Sequence, residues 1–231
     1  TMELGGHSPV MVYEDCDIEA AAKLCAAGKF RNAGQVCISP TRFFVQDSIH
    51  DRFLALFKEQ VEAVKVGDGL DEAVNMGPLV AERRIDIMDG FVSDAVSNGA
   101  ELLVGGSRIQ SEGSFFAPTL LQEVPDTARI MTEEPFGPIA PTARFSSLEE
   151  VIDRANSLPF GLAAYAFTGS ARTAGVLKQE IEAGMLAVNS LHVHSVETPF
   201  GGLKFSGYGH EGGIEGLEVF LATRYSSEIY G

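Results

Sequence analysis

Short apolar runs alternate with helical patterns along most of this chain, and that alternation limits the folds open to it. Residues 9–13 form a run suited to a buried strand. The alanine-rich stretch 20–30 that follows favours helix, with Asp15 or Asp17 available as its cap. Residues 42–46 read as a second strand. They feed residues 48–66, where Ile49, Phe53, Leu54, Leu56, Phe57, Val61 and Val64 recur at helical spacing. Gly67-Asp68-Gly69 stops this helix, and residues 81–97 supply another that ends at Asn98-Gly99 in the manner of a glycine cap. Two further strand–helix units occupy residues 139–145 with 147–157 and residues 162–167 with 170–182; residues 183–189 read as one more buried strand. The expected fold is α/β, a doubly wound, mainly parallel open sheet flanked by helices. Residues 198–216 are glycine-rich and read as an ordered loop close to a ligand or a neighbouring subunit. Residues 217–230 are β-prone and suited to pairing with another chain.

With 231 residues, 45% of them hydrophobic, the chain can bury the core of one sizeable domain. A formal net charge of -15 without a run of Lys or Arg argues against nucleic acid or an anionic membrane as partner. No apolar stretch approaches the roughly 20 residues that span a bilayer, and the start has no signal-peptide layout. The three cysteines, Cys16, Cys25 and Cys37, show no metal-site spacing, so no metal is expected and free thiols in a reducing, cytoplasmic setting are. The opening Thr1-Met2-Glu3-Leu4-Gly5-Gly6 reads as a cut within a larger fold.

Cys37 lies in Gly34-Gln35-Val36-Cys37-Ile38-Ser39-Pro40, between an expected helix and an expected strand, so its thiol projects from a loop as a nucleophile requires. A lone cysteine is more often an inert core side chain, which is the reading for Cys16 and Cys25. Glu3 sits beside a Gly-Gly turn, where partial burial raises a carboxylate toward the range of a general base; the alternative is a solvated surface acid. Glu133-Glu134-Pro135-Phe136-Gly137-Pro138 is a rigid acidic loop. It offers a carboxylate able to accept hydrogen bonds from ribose hydroxyls, or simply a stiff surface turn.

Glu-Leu-Gly-Gly, Gly-Gln-Val-Cys, Glu-Glu-Pro-Phe-Gly-Pro, Pro-Phe-Gly-Gly and Ser-Gly-Tyr-Gly, in this order, resemble the aldehyde dehydrogenase superfamily over nearly the whole chain. The resemblance implies that Cys37 is the nucleophile and Glu3 the general base that hydrolyses its thioester. It makes Glu134, Phe136 and Gly5 cofactor-binding residues for NAD or NADP. The backbone N–H of Cys37 would be one half of an oxyanion hole, whose other half is an Asn in a preceding cofactor-binding domain. On this resemblance residues 1–216 are the catalytic domain and 217–231 an assembly segment. The cofactor-binding domain is absent from these 231 residues, so the chain alone is expected to bind no cofactor and to show no dehydrogenase activity. Family members commonly assemble as dimers or tetramers.

The segments around Arg31 and Ser195 look like the semialdehyde branch, in particular succinate-semialdehyde dehydrogenases. There an Arg and a Ser hold the distal carboxylate, and Phe200 joins the substrate residues. An Arg fork suits a carboxylate because it donates two parallel hydrogen bonds. The alternatives are a helix-terminal cation for Arg31 and a loop hydroxyl bonding backbone for Ser195. Ser39 stands where some members carry a second cysteine, which excludes a disulfide switch there. His7, His192 and His194 have no assigned role, and they leave open a larger, aromatic or branched aldehyde, that is, a general aliphatic or aromatic aldehyde dehydrogenase. Two other classes compete: a thiol hydrolase, which needs a histidine base beside Cys37, and an oligomerising scaffold built on the tail.

Overall fold

The computed structural model describes residues 1–109 and 113–231. In chain order its elements are β1 (Met2–Glu3), β2 (Ser8–Val12), α1 (Ile18–Phe30), β3 (Pro40–Gln46), α2 (His50–Glu62), α3 (Arg83–Ser97), β4 (Glu101–Val104), β5 (Thr119–Gln122) and α4 (Arg129–Thr132). There follow β6 (Ile139–Phe145), α5 (Leu148–Asn156), β7 (Phe160–Gly161), β8 (Ala163–Phe167), α6 (Ala171–Glu180), β9 (Met185–Val188), β10 (Leu203–Lys204), β11 (Gly207–Tyr208) and α7 (Glu215–Glu218). Seven strands form one sheet in the order β4-β5-β6-β3-β2-β8-β9. Every adjacent pair is parallel except β4–β5 at the edge. The chain therefore starts in the middle, winds outward through β3, and returns across the sheet to add β8 and β9 on the other side. This is the doubly wound α/β arrangement that the alternation predicts.

The central strands are buried on both faces, as parallel strands covered by helices must be: every residue of β2 is buried and all of β3 except Gln46. Phe43 of β3 meets Phe57 of α2 with ring centroids 5.1 Å apart, and Phe53 packs on Phe57 at 5.4 Å. Asp17, rather than Asp15, caps α1 by accepting the Ala20 N–H at 3.0 Å. Asp15 instead accepts the Thr168 hydroxyl at 2.8 Å. Ser147 and Ser170 cap α5 and α6 in the same way as Asp17 caps α1.

The sequence pattern misses β4 and β5. At four residues each they are too short to show a period, and their pairing is settled by the neighbouring β6 rather than locally. The helix expected over residues 48–66 is shorter, beginning with a 3-10 turn at Asp47–Ile49 and ending at Glu62. The glycine-rich segment after residue 198 is ordered by two small ladders, β10 against β7 and β11 against β1. Beyond α7 the tail forms no strand within one chain. Its Phe220, Leu221, Tyr225, Ile229 and Tyr230 are exposed.

Candidate active site

Three motif loops enter three adjacent strands at the same edge of the sheet. Glu3 to His7 lead into β2, Cys37 into β3 and the Glu133–Pro138 loop into β6, and these strands lie side by side in the order β6-β3-β2. Segments far apart in sequence thus converge because parallel strands begin at a common edge. Open α/β sheets usually place ligands outside the carboxyl ends of their strands. Here the candidate residues gather at the amino ends. Helix α1 runs back toward that edge, and the turn Arg31–Gly34 reverses the chain into the Cys37 loop. It does so with Asn32 and Ala33 at φ 51° and 54°, a left-handed conformation that strains a residue bearing a Cβ.

The Glu134 carboxylate accepts the Gly6 N–H at 3.0 Å. Burial pushes its pKa up, and the Gly6 amide, Arg84 and Lys29 act against that rise. A Cβ on Gly5 would stand 2.4 Å from Glu134 Oε2, so only glycine leaves this carboxylate room at residue 5. Arg84 donates to the carbonyls of Pro135 and Phe136 and fixes the loop from outside. Phe136, two residues on from Glu134, is 36% exposed and takes a left-handed backbone at φ 44°.

Cys37 is half-buried. Burial raises its thiol pKa, backbone N–H groups of Ile38 and Cys37 favour the thiolate, and the Glu134 and Glu3 carboxylates oppose it. The two amides are donors placed where a negative sulfur or oxygen forms. Glu3 is also raised, first by burial and then by Glu211, with His210 pulling the other way. Both its carboxylate oxygens are shielded and have no protein hydrogen-bond partner among the described residues, as suits a base that acts through water. Its position comes from the β1–β11 ladder, which pairs Glu3 with Gly207. A Cβ on Gly207 would lie 1.9 Å from the Met2 carbonyl oxygen, which explains the glycine in Ser-Gly-Tyr-Gly.

Beside the Cys37 loop opens a pocket of about 310 Å³, lined by Val36, Ile38 and Tyr165 together with Arg31, His192 and His194; Cys37 itself and Phe200 are not part of its wall. Arg31 lines this pocket. Ser195 is not part of the wall, and its hydroxyl lies 3.3 Å from Thr198 Oγ1 and bonds Glu197, within its own turn. His194 lines the pocket, its ring perpendicular to that of Phe200 with centroids 6.3 Å apart. Phe200 itself is tied down by two backbone bonds to Glu211, both 2.7 Å. A second cavity of about 360 Å³ lies between α1 and α2 and shares Arg31, but none of the Cys37 loop lines it.

Residues that the motifs did not single out complete the site. Lys29, on the last turn of α1, is wholly buried, and its Nζ has no hydrogen-bond partner among the described residues. Burial lowers it to about 7, with Glu134 resisting the fall. An apolar helix face with one lysine in it was the available signal. Tyr165 donates to the Ile38 carbonyl at 2.6 Å and so braces the nucleophile loop. His7 is buried with its ring nitrogens at 2.7 Å from Thr41 Oγ1 and 3.1 Å from the Ile130 carbonyl; burial and Arg42 hold it neutral, a structural role. Among the described residues no histidine is hydrogen-bonded to Cys37 and no group of three or more His, Cys, Asp or Glu is placed to hold a metal. The base of a thiol hydrolase is thus not seen.

The family model for the aldehyde dehydrogenase family matches residues 1–225. The chain belongs to the aldehyde dehydrogenase family. It is 45% identical over 225 residues to a 4-(hydroxymethyl)benzenesulfonate dehydrogenase of Comamonas testosteroni, an alignment covering 97% of this chain and 47% of the relative. It is 39% identical to the NADP-dependent succinate-semialdehyde dehydrogenase of Escherichia coli, with the same coverage of both chains. Among solved structures it resembles a succinate-semialdehyde dehydrogenase from Burkholderia pseudomallei with a TM-score of 0.92 at 38% identity, over 94% of this chain and 45% of that one. This aldehyde dehydrogenase chain spans about half the length of the curated relatives it matches. No helix among its described residues is long and apolar enough to cross a membrane.

Proposed function

We propose that these residues form the thiol half of an NAD(P)-dependent aldehyde dehydrogenase acting on an aldehyde with an anionic group at its far end, such as succinic semialdehyde. The observation that carries this reading is the convergence of Cys37, Glu3 and Glu134 on one edge of the sheet, beside a pocket that contains Arg31. Cys37 adds to the carbonyl, with its own and the Ile38 amide available to the developing negative charge. The thiohemiacetal so formed becomes, after oxidation, a thioester on Cys37, and Glu3 takes a proton from the water that hydrolyses it. Elevation of the Glu3 pKa by burial makes it a better base than an exposed carboxylate.

The cofactor fits the groups present. Glu134, opened by Gly5 and two residues from Phe136, would hold the nicotinamide ribose, and bound NAD(P) would supply the hydride acceptor. We place the adenosine half on sequence that the longer relatives carry beyond these 231 residues, so turnover by this chain alone is not expected. Residues 1–216 are read as the catalytic domain. Residues 217–231, with their exposed apolar side chains, are read as the segment through which copies assemble as a dimer or tetramer. Three free cysteines suit a reducing, cytoplasmic compartment.

The anionic aldehyde is favoured by Arg31 on the pocket wall and by the relatives that act on 4-(hydroxymethyl)benzenesulfonate and on succinate semialdehyde, which share an acidic group. The second reading is a general aliphatic or aromatic aldehyde dehydrogenase, favoured by the displacement of Ser195 from the wall. The test is NAD(P)H formation by the protein that carries this chain, wild type and Arg31→Ala, from succinic semialdehyde and from propanal. A selective loss on succinic semialdehyde is expected; equal changes on both aldehydes would return Arg31 to a helix-end cation.

A further inference from the structure

The pocket beside Cys37 presents more ring surface than a short aliphatic semialdehyde can use. Leu24, Val36, Ile38 and Leu191 give it an apolar floor, the buried Tyr165 backs it, and Arg31 is its cation. Across from these, His192 and His194 stack with centroids 5.5 Å apart and planes 27° from parallel. The Phe200 edge supports His194 from behind at 6.3 Å. Both imidazoles are exposed, so this flat face is available to a ligand rather than spent on the core.

Size points the same way. A buried cavity of about 150 Å³ accepts a benzene ring, and this pocket offers about 310 Å³. An aromatic ring lies against the exposed imidazoles in offset or edge-on contact, an attraction a four-carbon chain cannot make. A carboxylate on that ring meets the Arg31 fork by paired hydrogen bonds. Resting on the reading of Cys37 as the aldehyde-binding nucleophile, we infer that the pocket selects an aromatic aldehyde bearing an acidic ring substituent, with His192 and His194 as the specificity-determining residues that grip the ring.

The first step needs no cofactor. The Cys37 sulfur forms a bond to the aldehyde carbon, the carbonyl π bond breaks, and the thiol proton ends on the oxygen. It is therefore measurable on the 231-residue chain itself. Cys37 alkylation by iodoacetamide is followed by peptide mass spectrometry in graded 4-carboxybenzaldehyde, benzaldehyde or succinic semialdehyde. Cys16, also only partly buried but at the opposite edge of the sheet, serves as the internal control.

We expect 4-carboxybenzaldehyde to protect Cys37 at about tenfold lower concentration than succinic semialdehyde, equivalent to about 1.4 kcal/mol. His192→Leu and His194→Leu should each erase most of that margin while the succinic semialdehyde curve moves less than about twofold. Both positions are exposed, so leucine there leaves the core intact. Arg31→Ala should weaken both acids and leave benzaldehyde unchanged. Succinic semialdehyde protecting as well as the aromatic acid, or a margin that survives both histidine substitutions, overturns the inference and leaves Cys37 as an aldehyde-binding thiol. Protection by no aldehyde at all overturns the underlying reading and the inference with it.

Discussion

The two edges of the same sheet are built differently. At the carboxyl edge most charged groups are paired: Asp15 takes the Thr168 hydroxyl, Glu14 takes the Ser48 hydroxyl at 2.6 Å, and Arg144 bridges Glu123 and Asp51, both at 2.6 Å, while Tyr13 Oη and His50 Nε2 are enclosed there without a partner among the described residues. Helices α5 and α6 begin there under serine caps. At the amino edge, Glu3 and Lys29 hold enclosed ionisable groups without hydrogen-bond partners among the described residues, and Glu134 is raised by burial. Ionisable groups left unpaired in the fold remain available to a substrate, whereas paired ones stabilise it.

Substitutions at the two edges should separate accordingly, and the largest effect is expected at Cys37, the proposed nucleophile. Cys37→Ala in the protein carrying this chain should lower NAD(P)H formation from its aldehyde by about 10³-fold or more with little change in melting temperature. A loss below tenfold would mean the thiol is not the reacting group. Glu3→Gln should slow hydrolysis by about 10²-fold while leaving the thioester-forming burst. Stopped-flow NADH traces resolve the two phases, and a vanished burst would move Glu3 to the earlier step.

Lys29 links the amino edge to pH. Its pKa is about 7 in the fold against 10.5 for an ordinary lysine, so between those values the unfolded chain holds a proton that the folded chain has lost. Stability contributed by this group therefore rises with pH across that window, by up to about 1.4 kcal/mol per pH unit. Lys29→Met should be more stable than wild type at pH 6.5 and flatten the rise, as urea denaturation at pH 6.5, 8 and 9.5 would show; an unchanged slope would mean that Lys29 keeps its charge throughout. The smallest effect is expected at the other edge, where Ser147→Ala should cost about 1 kcal/mol of stability and leave turnover unaltered. A turnover defect there would blur the distinction between the edges.

Much of this site was legible in the residues themselves. Cys37, Glu3 and Glu134 stand in motifs whose residue types announce a thiol, a carboxylate beside a glycine turn and an acid in a rigid loop, and Arg31 lines the pocket beside the Cys37 loop. Which of the residues 192–195 face that pocket was not legible, because neighbouring loop residues differ only in which way they face. The Ser195 hydroxyl closes its own turn while His194 reaches the pocket. Lys29 escaped notice because a lysine on a helix is ordinarily solvated, and only the packing of α1 against the sheet buries it.

The local grammar of the chain determined its α/β class, its caps and the identity of its reactive groups, since propensity, period and functional group belong to each residue wherever it sits. Which groups face one another was decided only by the fold. Parallel strands β6, β3 and β2 start at a common edge, and that shared origin, invisible to any local pattern, brings the Glu134, Cys37 and Glu3 loops together and sets burial and charge against their ordinary pKa values.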